Sequence, residues 1–239
     1  MEKASQRFQL EGIIAESPQL SDLLAIAKPG NRIFLYELGP NETDWDVCPG
    51  GIAIRNGTGI FTIGVTESEK KWSFDGSSEQ WRFLRRGLVT GSNYGICAGE
   101  FIFWSQPFDH WFPFMDSLGE GIIVQQGMDF FSTDGVTTEK IDVDFRGGDA
   151  WYPLTRNQVM ILRCDEFLIN GRHPVYKGNN YGDWHGRVIQ IGDGLFADGK
   201  DLIFRGEMMN WRTCIDGKGV VVQQGNSLTL VVYEFPPFL

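Results

Sequence analysis

Apolar residues along this chain come in short runs that alternate with polar positions, and nearly every run is closed by Gly, Asn, Asp or Pro. A period of two marks a strand with one buried face, and the β-branched and aromatic content of the runs points the same way. Strands are expected at 33–38, 52–55, 60–65, 81–85, 101–105, 122–126, 138–145, 158–164, 187–191, 202–205, 220–224 and 228–234. One segment follows the helical period instead. In Ser17–Gly30, Leu20, Leu23, Leu24 and Ala27 form a stripe, Ser17 and Pro18 suit its start, and Pro29-Gly30 stops it. Short strands with frequent turn signals and no βαβ alternation predict an all-β sandwich or barrel with one short N-terminal helix.

One stretch occurs twice. GEGIIVQQG at 119–127 and GKGVVVQQG at 217–225 share six of nine residues. The likeness extends upstream in the same order. GSNYG at 91–95, Ile102-Phe103-Trp104 and Trp111 precede the first copy. GNNYG at 178–182, Ile203-Phe204-Arg205 and Trp211 precede the second. Two similar halves, 1–134 with the helix and 135–239, follow from this, packed as one unit by internal duplication. Within each copy the Ile/Val run reads as a central strand, the two Gln residues point to opposite faces, and Gly127 or Gly225 ends the strand.

Composition changes the picture in two places. Gly, at 30 of 239 residues, implies many tight turns, and the net charge of −10 argues against a nucleic-acid partner, which needs clustered Lys and Arg. The one basic cluster, Arg82 to Arg86, falls on an expected strand. No apolar stretch is long enough for a transmembrane helix, and residues 1–12 contain no signal-peptide core, so cytoplasmic synthesis is expected and no membrane partner. The four cysteines lack metal or redox spacing, so no metal or cofactor is expected. The acidic turns at 141–149 and 192–201 depart from the EF-hand order and read as solvated.

Chemistry is sparse. Asp109-His110 lies among aromatics, and Asp183-Trp184-His185 repeats the association. An imidazole oriented by a carboxylate in an aromatic pocket can act as a general base, so these four residues are the candidate catalytic set. Trp104, Trp111, Tyr181, Trp184 and Trp211 are the candidate ligand-binding aromatics, for a glycan or another small molecule. No nucleophile elbow or phosphate loop accompanies them. The apolar segment 101–114 and the C-terminal Tyr233-Glu-Phe-Pro-Pro-Phe-Leu239 suggest surfaces that another subunit covers. The leading expectation is therefore a non-catalytic β module docked in a larger assembly, for example a virion or tail-like particle. A cofactor-independent lyase, isomerase or cyclase is one alternative, and a glycan or small-ligand binding module the other.

Overall fold

The computed structural model describes residues 9–10, 13–14, 26–42, 44–57, 59–63, 72–73, 80–92, 95–116, 118–164, 166–177, 181–185, 187–214 and 218–235. It is all-β. In chain order the strands are β1 (Gln9–Leu10), β2 (Ile13–Ile14) and β3 (Arg32–Glu37), then β4 (Asp44–Cys48), β5 (Gly51–Asn56), β6 (Gly59–Ile63) and β7 (Trp72–Ser73). Next come β8 (Gln80–Leu84), β9 (Gly87–Ser92), β10 (Gly95–Ala98) and β11 (Phe101–Trp104), followed by β12 (His110–Asp116), β13 (Gly119–Gln126), β14 (Asp129–Thr133) and β15 (Thr138–Ile141). The remainder are β16 (Ala150–Thr155), β17 (Gln158–Arg163), β18 (Glu166–Ile169), β19 (His173–Lys177), β20 (Tyr181–His185), β21 (Val188–Ile191), β22 (Gly194–Ala197), β23 (Asp201–Arg205), β24 (Asn210–Thr213), β25 (Gly219–Gln224) and β26 (Ser227–Val232).

These strands form six small sheets, in place of the two facing sheets or the closed barrel expected from the strand spacing. Sheets 1 to 5 are four-stranded meanders, β4–β7, β8–β11, β12–β15, β16–β19 and β20–β23. Sheet 6 has the order β2-β1-β3-β26-β25-β24, so a strand from each part of the chain meets within it. Such a meander is the blade unit of β-propellers. Every run expected to be extended contains a strand, though that of 138–145 ends at Ile141. The helix expected from Ser17 falls mainly on 15–25, outside the described residues, as do Asn93, Tyr94, Gly178, Asn179, Asn180 and the end of the chain from residue 236.

Two compact units emerge, 1–76 with 193–239, and 77–192. Residue 134, where the expected halves divide, lies in the turn between the paired strands β14 and β15. In the first unit, Trp45, Ile52, Ile54 and Ile63 of sheet 1 pack with Ile33, Leu35, Val221, Leu228 and Leu230 of sheet 6. In the second, Leu84, Val89, Ile96 and Trp104 of sheet 2 meet Trp111, Ile122 and Val124 of sheet 3. The other face of sheet 3, with Phe114, Ile123 and Phe130, meets Trp151, Val159, Ile161 and Leu168 of sheet 4. Sheet 3 is thus covered on both faces, which is why β13 reads as a continuous apolar run rather than an alternating one.

The twice-written stretch occupies equivalent places, as the second strand of sheets 3 and 6, sheet 6 being counted throughout from its edge strand β24. Gly121 and Gly219 are required there because a methyl group would run into the carbonyl oxygen of Thr133 or Val231 on the neighbouring strand. Gly127 (φ 62°) and Gly225 (φ 57°) open two-residue turns in the left-handed region, which glycine enters without steric cost.

Candidate functional site

The first strand of every sheet carries a tryptophan: Trp45, Trp81, Trp111, Trp151, Trp184 and Trp211, six of the eight in the chain. Five of these indoles are at most 5% exposed, and the side chain of Trp184 lies outside the described residues. Each opposes a residue of the second strand: Ile54, Thr90, Val124, Ile161, Ile189 and Val222 respectively. The residue after that partner is Arg55, Gly91, Gln125, Leu162, Gln190 and Gln223 in turn.

At this position a recurring polar junction is built. Gln125 donates through Nε2 to the Gly127 carbonyl at 2.9 Å, and its Oε1 accepts the indole N–H of Trp151 on the next sheet at 2.6 Å. Gln223 repeats both bonds, to the Gly225 carbonyl at 3.0 Å and from Trp45 at 2.8 Å. Gln190 and Arg55 make the same local bond, each donating to the carbonyl of the turn glycine two residues on. The second Gln of each pair ties down the chain entering its sheet: Gln126 donates to the Pro107 carbonyl at 2.8 Å and Gln224 to that of Glu207 at 2.9 Å. A buried amide with its carbonyl and one N–H both satisfied fixes sheet-to-sheet register, which apolar contact alone leaves loose.

The junction fails between sheets 2 and 3. Gly91 stands where Gln would be, Trp111 fills the space, and a methyl group on Gly91 would collide with the indole nitrogen. The Nε1 of Trp111 consequently has no acceptor among the described residues, nor has that of Trp104 in the same cluster.

The expected catalytic pair sits at the turn end of the Gln125 junction. Asp109 accepts the Gly127 N–H at 2.6 Å, and its own N–H donates to the Gln125 carbonyl at 2.9 Å. It therefore closes the turn end of sheet 3, while His110 is exposed at the start of β12 opposite Gln125. Asp183, His185, Tyr181 and Trp184 belong to β20, and their side chains lie outside the described residues. Trp104, Trp111 and Trp211 are core residues, 7%, 2% and 1% exposed, with no open ring face for a glycan to stack on.

Charged groups form three local clamps. Glu120 accepts the backbone N–H groups of Arg85 (2.6 Å) and Arg86 (3.2 Å) and pairs with the Arg86 guanidinium at 2.9 Å. Arg163 binds Asp149 at 2.8 Å and Asp144 at 3.3 Å and donates to the Asp144 carbonyl at 2.6 Å. The Arg146 guanidinium, then that of Arg163, holds the Asp144 carboxyl below its ordinary range. The basic cluster at 82–86 and the acidic turn at 141–149 are therefore engaged internally. In the third clamp, Asp46 is 4% exposed and lies 3.7 Å from Arg212. Burial, reinforced by Asp46, raises the Cys48 thiol to about 12. Among the described residues, no group of three or more His, Cys, Asp or Glu side chains could hold a metal ion. No described helix is long and apolar enough to cross a membrane.

No protein-family model matches the chain, and no curated protein matches it in sequence. The signal missed in the sequence was the recurrence of Trp at intervals of 27 to 40 residues, visible once the strands are aligned.

Proposed function

We propose that this chain is a non-catalytic β-repeat module that docks onto another protein subunit within a larger assembly. The observation that carries the reading is an apolar surface at one turn end of sheets 2 and 3. Leu118 (76% exposed) lies in the β12–β13 turn, Val136 (85%) in the β14–β15 turn, and Ile102 (60%) follows the β10–β11 turn beside Phe101. Antiparallel meanders place these turns at one end of their sheets, and the Glu120–Arg86 clamp joins the two sheets there. Large apolar groups held open on a fixed framework suit a protein interface better than a solvent-facing loop. Growth of the chain by repetition of a β unit accords with the same reading, since scaffolds of this kind reuse one meander and vary its turns.

Sedimentation velocity over a wide concentration range tests it. The expected result is reversible self-association, lost in a Leu118→Ser/Val136→Ser/Ile102→Ser variant whose thermal unfolding is otherwise unchanged. A wild-type chain that stays monomeric at the highest concentration would count against docking between copies. If immobilised wild-type and triple-variant chains also retained the same proteins, the interface reading would be abandoned.

A further inference from the structure

The first strand of each sheet is an edge, and its unpaired backbone groups point away from the sheet. Which residues these are follows from the register. The two-residue turns closed by Leu84–Gly87 and Asp116–Gly119 make those pairs hydrogen-bonded. Alternation then leaves Trp81, Trp111 and Pro113 in non-bonded pairs. In sheet 4, Val159 directs both its N–H and its C=O to Asn170, away from β16. Its partner Pro153, and Trp151 two residues before, therefore also face outward from the edge.

Two sheets satisfy the outward tryptophan carbonyl from within. Arg82 donates to the Trp81 carbonyl at 2.7 Å, and Arg212 donates to that of Trp211 at 2.8 Å. Each is the residue after the tryptophan. In sheets 3 and 4 that residue is aromatic and a proline follows, giving Trp111-Phe112-Pro113 and Trp151-Tyr152-Pro153. Among the described residues no side chain donates to the Trp111 or Trp151 carbonyl. The prolines delete N–H groups from the same edges, so acceptors outnumber donors there. Phe112 lies 5.1 Å from Trp151 and 6.1 Å from Tyr152, which brings the two edges and their rings together. The Phe112 ring already has a guanidinium, that of Arg82, at 5.9 Å.

We infer that the edges of β12 and β16 form a binding site for a guanidinium group carried by a ligand, which takes the place that Arg82 and Arg212 take in their own sheets. The carbonyls of Trp111 and Trp151 accept its N–H groups, and Phe112 and Tyr152 supply the ring faces. The net charge of −10 favours the approach of such a cation. The guanidinium can come from a free small molecule or from an arginine side chain of a peptide.

The test is an NMR titration of the whole chain, following the ring carbons of Phe112 and Tyr152 and the amides of Trp111 and Trp151. The probes are butylguanidinium, its neutral isostere butylurea, and acetyl-Gly-Arg-Gly-amide. Saturable shifts with both cations and none with the urea are expected. Tighter binding of the peptide identifies an arginine side chain as the natural source, and equal or weaker binding a free guanidine. Phe112→Arg supplies the missing donor internally and should weaken butylguanidinium by about tenfold, as should Tyr152→Leu by loss of a ring face. Should one variant fail to fold, the other carries the comparison. Equal shifts with butylurea, unchanged affinity in the folded variants, or no saturable shift in the wild type would overturn the assignment.

Discussion

Replacing Trp151 by Phe and Trp111 by Phe removes the same group from two equivalent positions, with opposite consequences. Both indoles are buried, and both oppose the second strand of their own sheet at the same register. The loss of ring size costs each variant about 1–2 kcal/mol, by analogy with other large-to-small core changes. The nitrogen decides the remainder. Trp151→Phe leaves the 7%-exposed Gln125 without its 2.6 Å donor, and an orphaned buried acceptor costs about 1–3 kcal/mol. Trp111→Phe deletes an N–H that has no acceptor, so a penalty already present in the folded state disappears. Trp151→Phe should therefore be less stable than Trp111→Phe by about 2 kcal/mol or more. Urea unfolding with unchanged slope measures the difference, which for a chain of this length corresponds to roughly 4–8 °C in Tm. Equal destabilisation of the two variants would show that the Gln–Trp junction holds no register energy, and the repeat argument built on it would fall.

Other outcomes follow from the same coordinates. Gly91→Ala should destabilise the fold by about 2 kcal/mol or more, because the new methyl meets the Trp111 indole, and combining it with Trp111→Phe should recover part of the loss in the same urea assay. Cys164 (φ 53°) occupies the turn position held by Gly127 and Gly225, so Cys164→Gly should leave stability unchanged or raise it by up to about 1 kcal/mol, where an ordinary cap-side Gly substitution would lower it. Glu120→Ala strips the acceptor from two backbone N–H groups and should cost about 1–2 kcal/mol after allowance for the half-open Arg86, read as a lower Tm that salt alone does not reproduce. Alkaline pH should weaken the fold. The Cys48 thiol is raised from 9.0 to about 12 by burial, so the folded state keeps a proton that the unfolded state loses, and stability falls as pH rises from about 9 towards 12. Tyr36, raised from 10.0 to about 12 chiefly by burial, adds to the fall above pH 10, and Cys48→Ala should flatten the earlier part of the curve measured by urea unfolding.

Strands with an alternating or continuous apolar run could be read directly from the chain, because burial on one or both faces leaves a period-two or unbroken signature. Most of the tryptophan-bearing first strands could not. His110–Asp116 and Ala150–Thr155 contain prolines, and Asp44–Cys48 and Asn210–Thr213 are polar and short. Such residues are admissible because a first strand is an edge with one hydrogen-bonded neighbour, and its outward N–H groups need no ladder partner. The twofold repeat was visible because Gln125-Gln126-Gly127 and Gln223-Gln224-Gly225 kept every junction residue. The same position is Arg55, Gly91 and Leu162 in three other sheets, and Gln190 in sheet 5 is followed by Ile191 and not by a second Gln, which hides the sixfold recurrence from residue matching. Asp109 carries a structural role that its sequence neighbours do not announce. A carboxylate beside His and Trp resembles catalytic chemistry, and just before β12 it also accepts the Gly127 N–H.

The sheets share one plan, from which sheets 3 and 4 depart at their edge strands. A tryptophan opposite a β-branched residue, followed across the sheet by an amide that bonds the turn and the next indole, is a structural rule that Gln125 with Trp151 and Gln223 with Trp45 satisfy in full. Where the rule is kept, its residues are spent on register. Sheets 3 and 4 keep the tryptophan, but where sheets 2 and 6 place a capping arginine they carry an aromatic ring followed by a proline. Phe112 packs edge-to-face on Trp151 and against the core between sheets 3 and 4, while no described side chain donates to the carbonyl before it. Substitutions at Phe112 and Tyr152 are therefore expected to change guanidinium binding, which the same NMR titration reads.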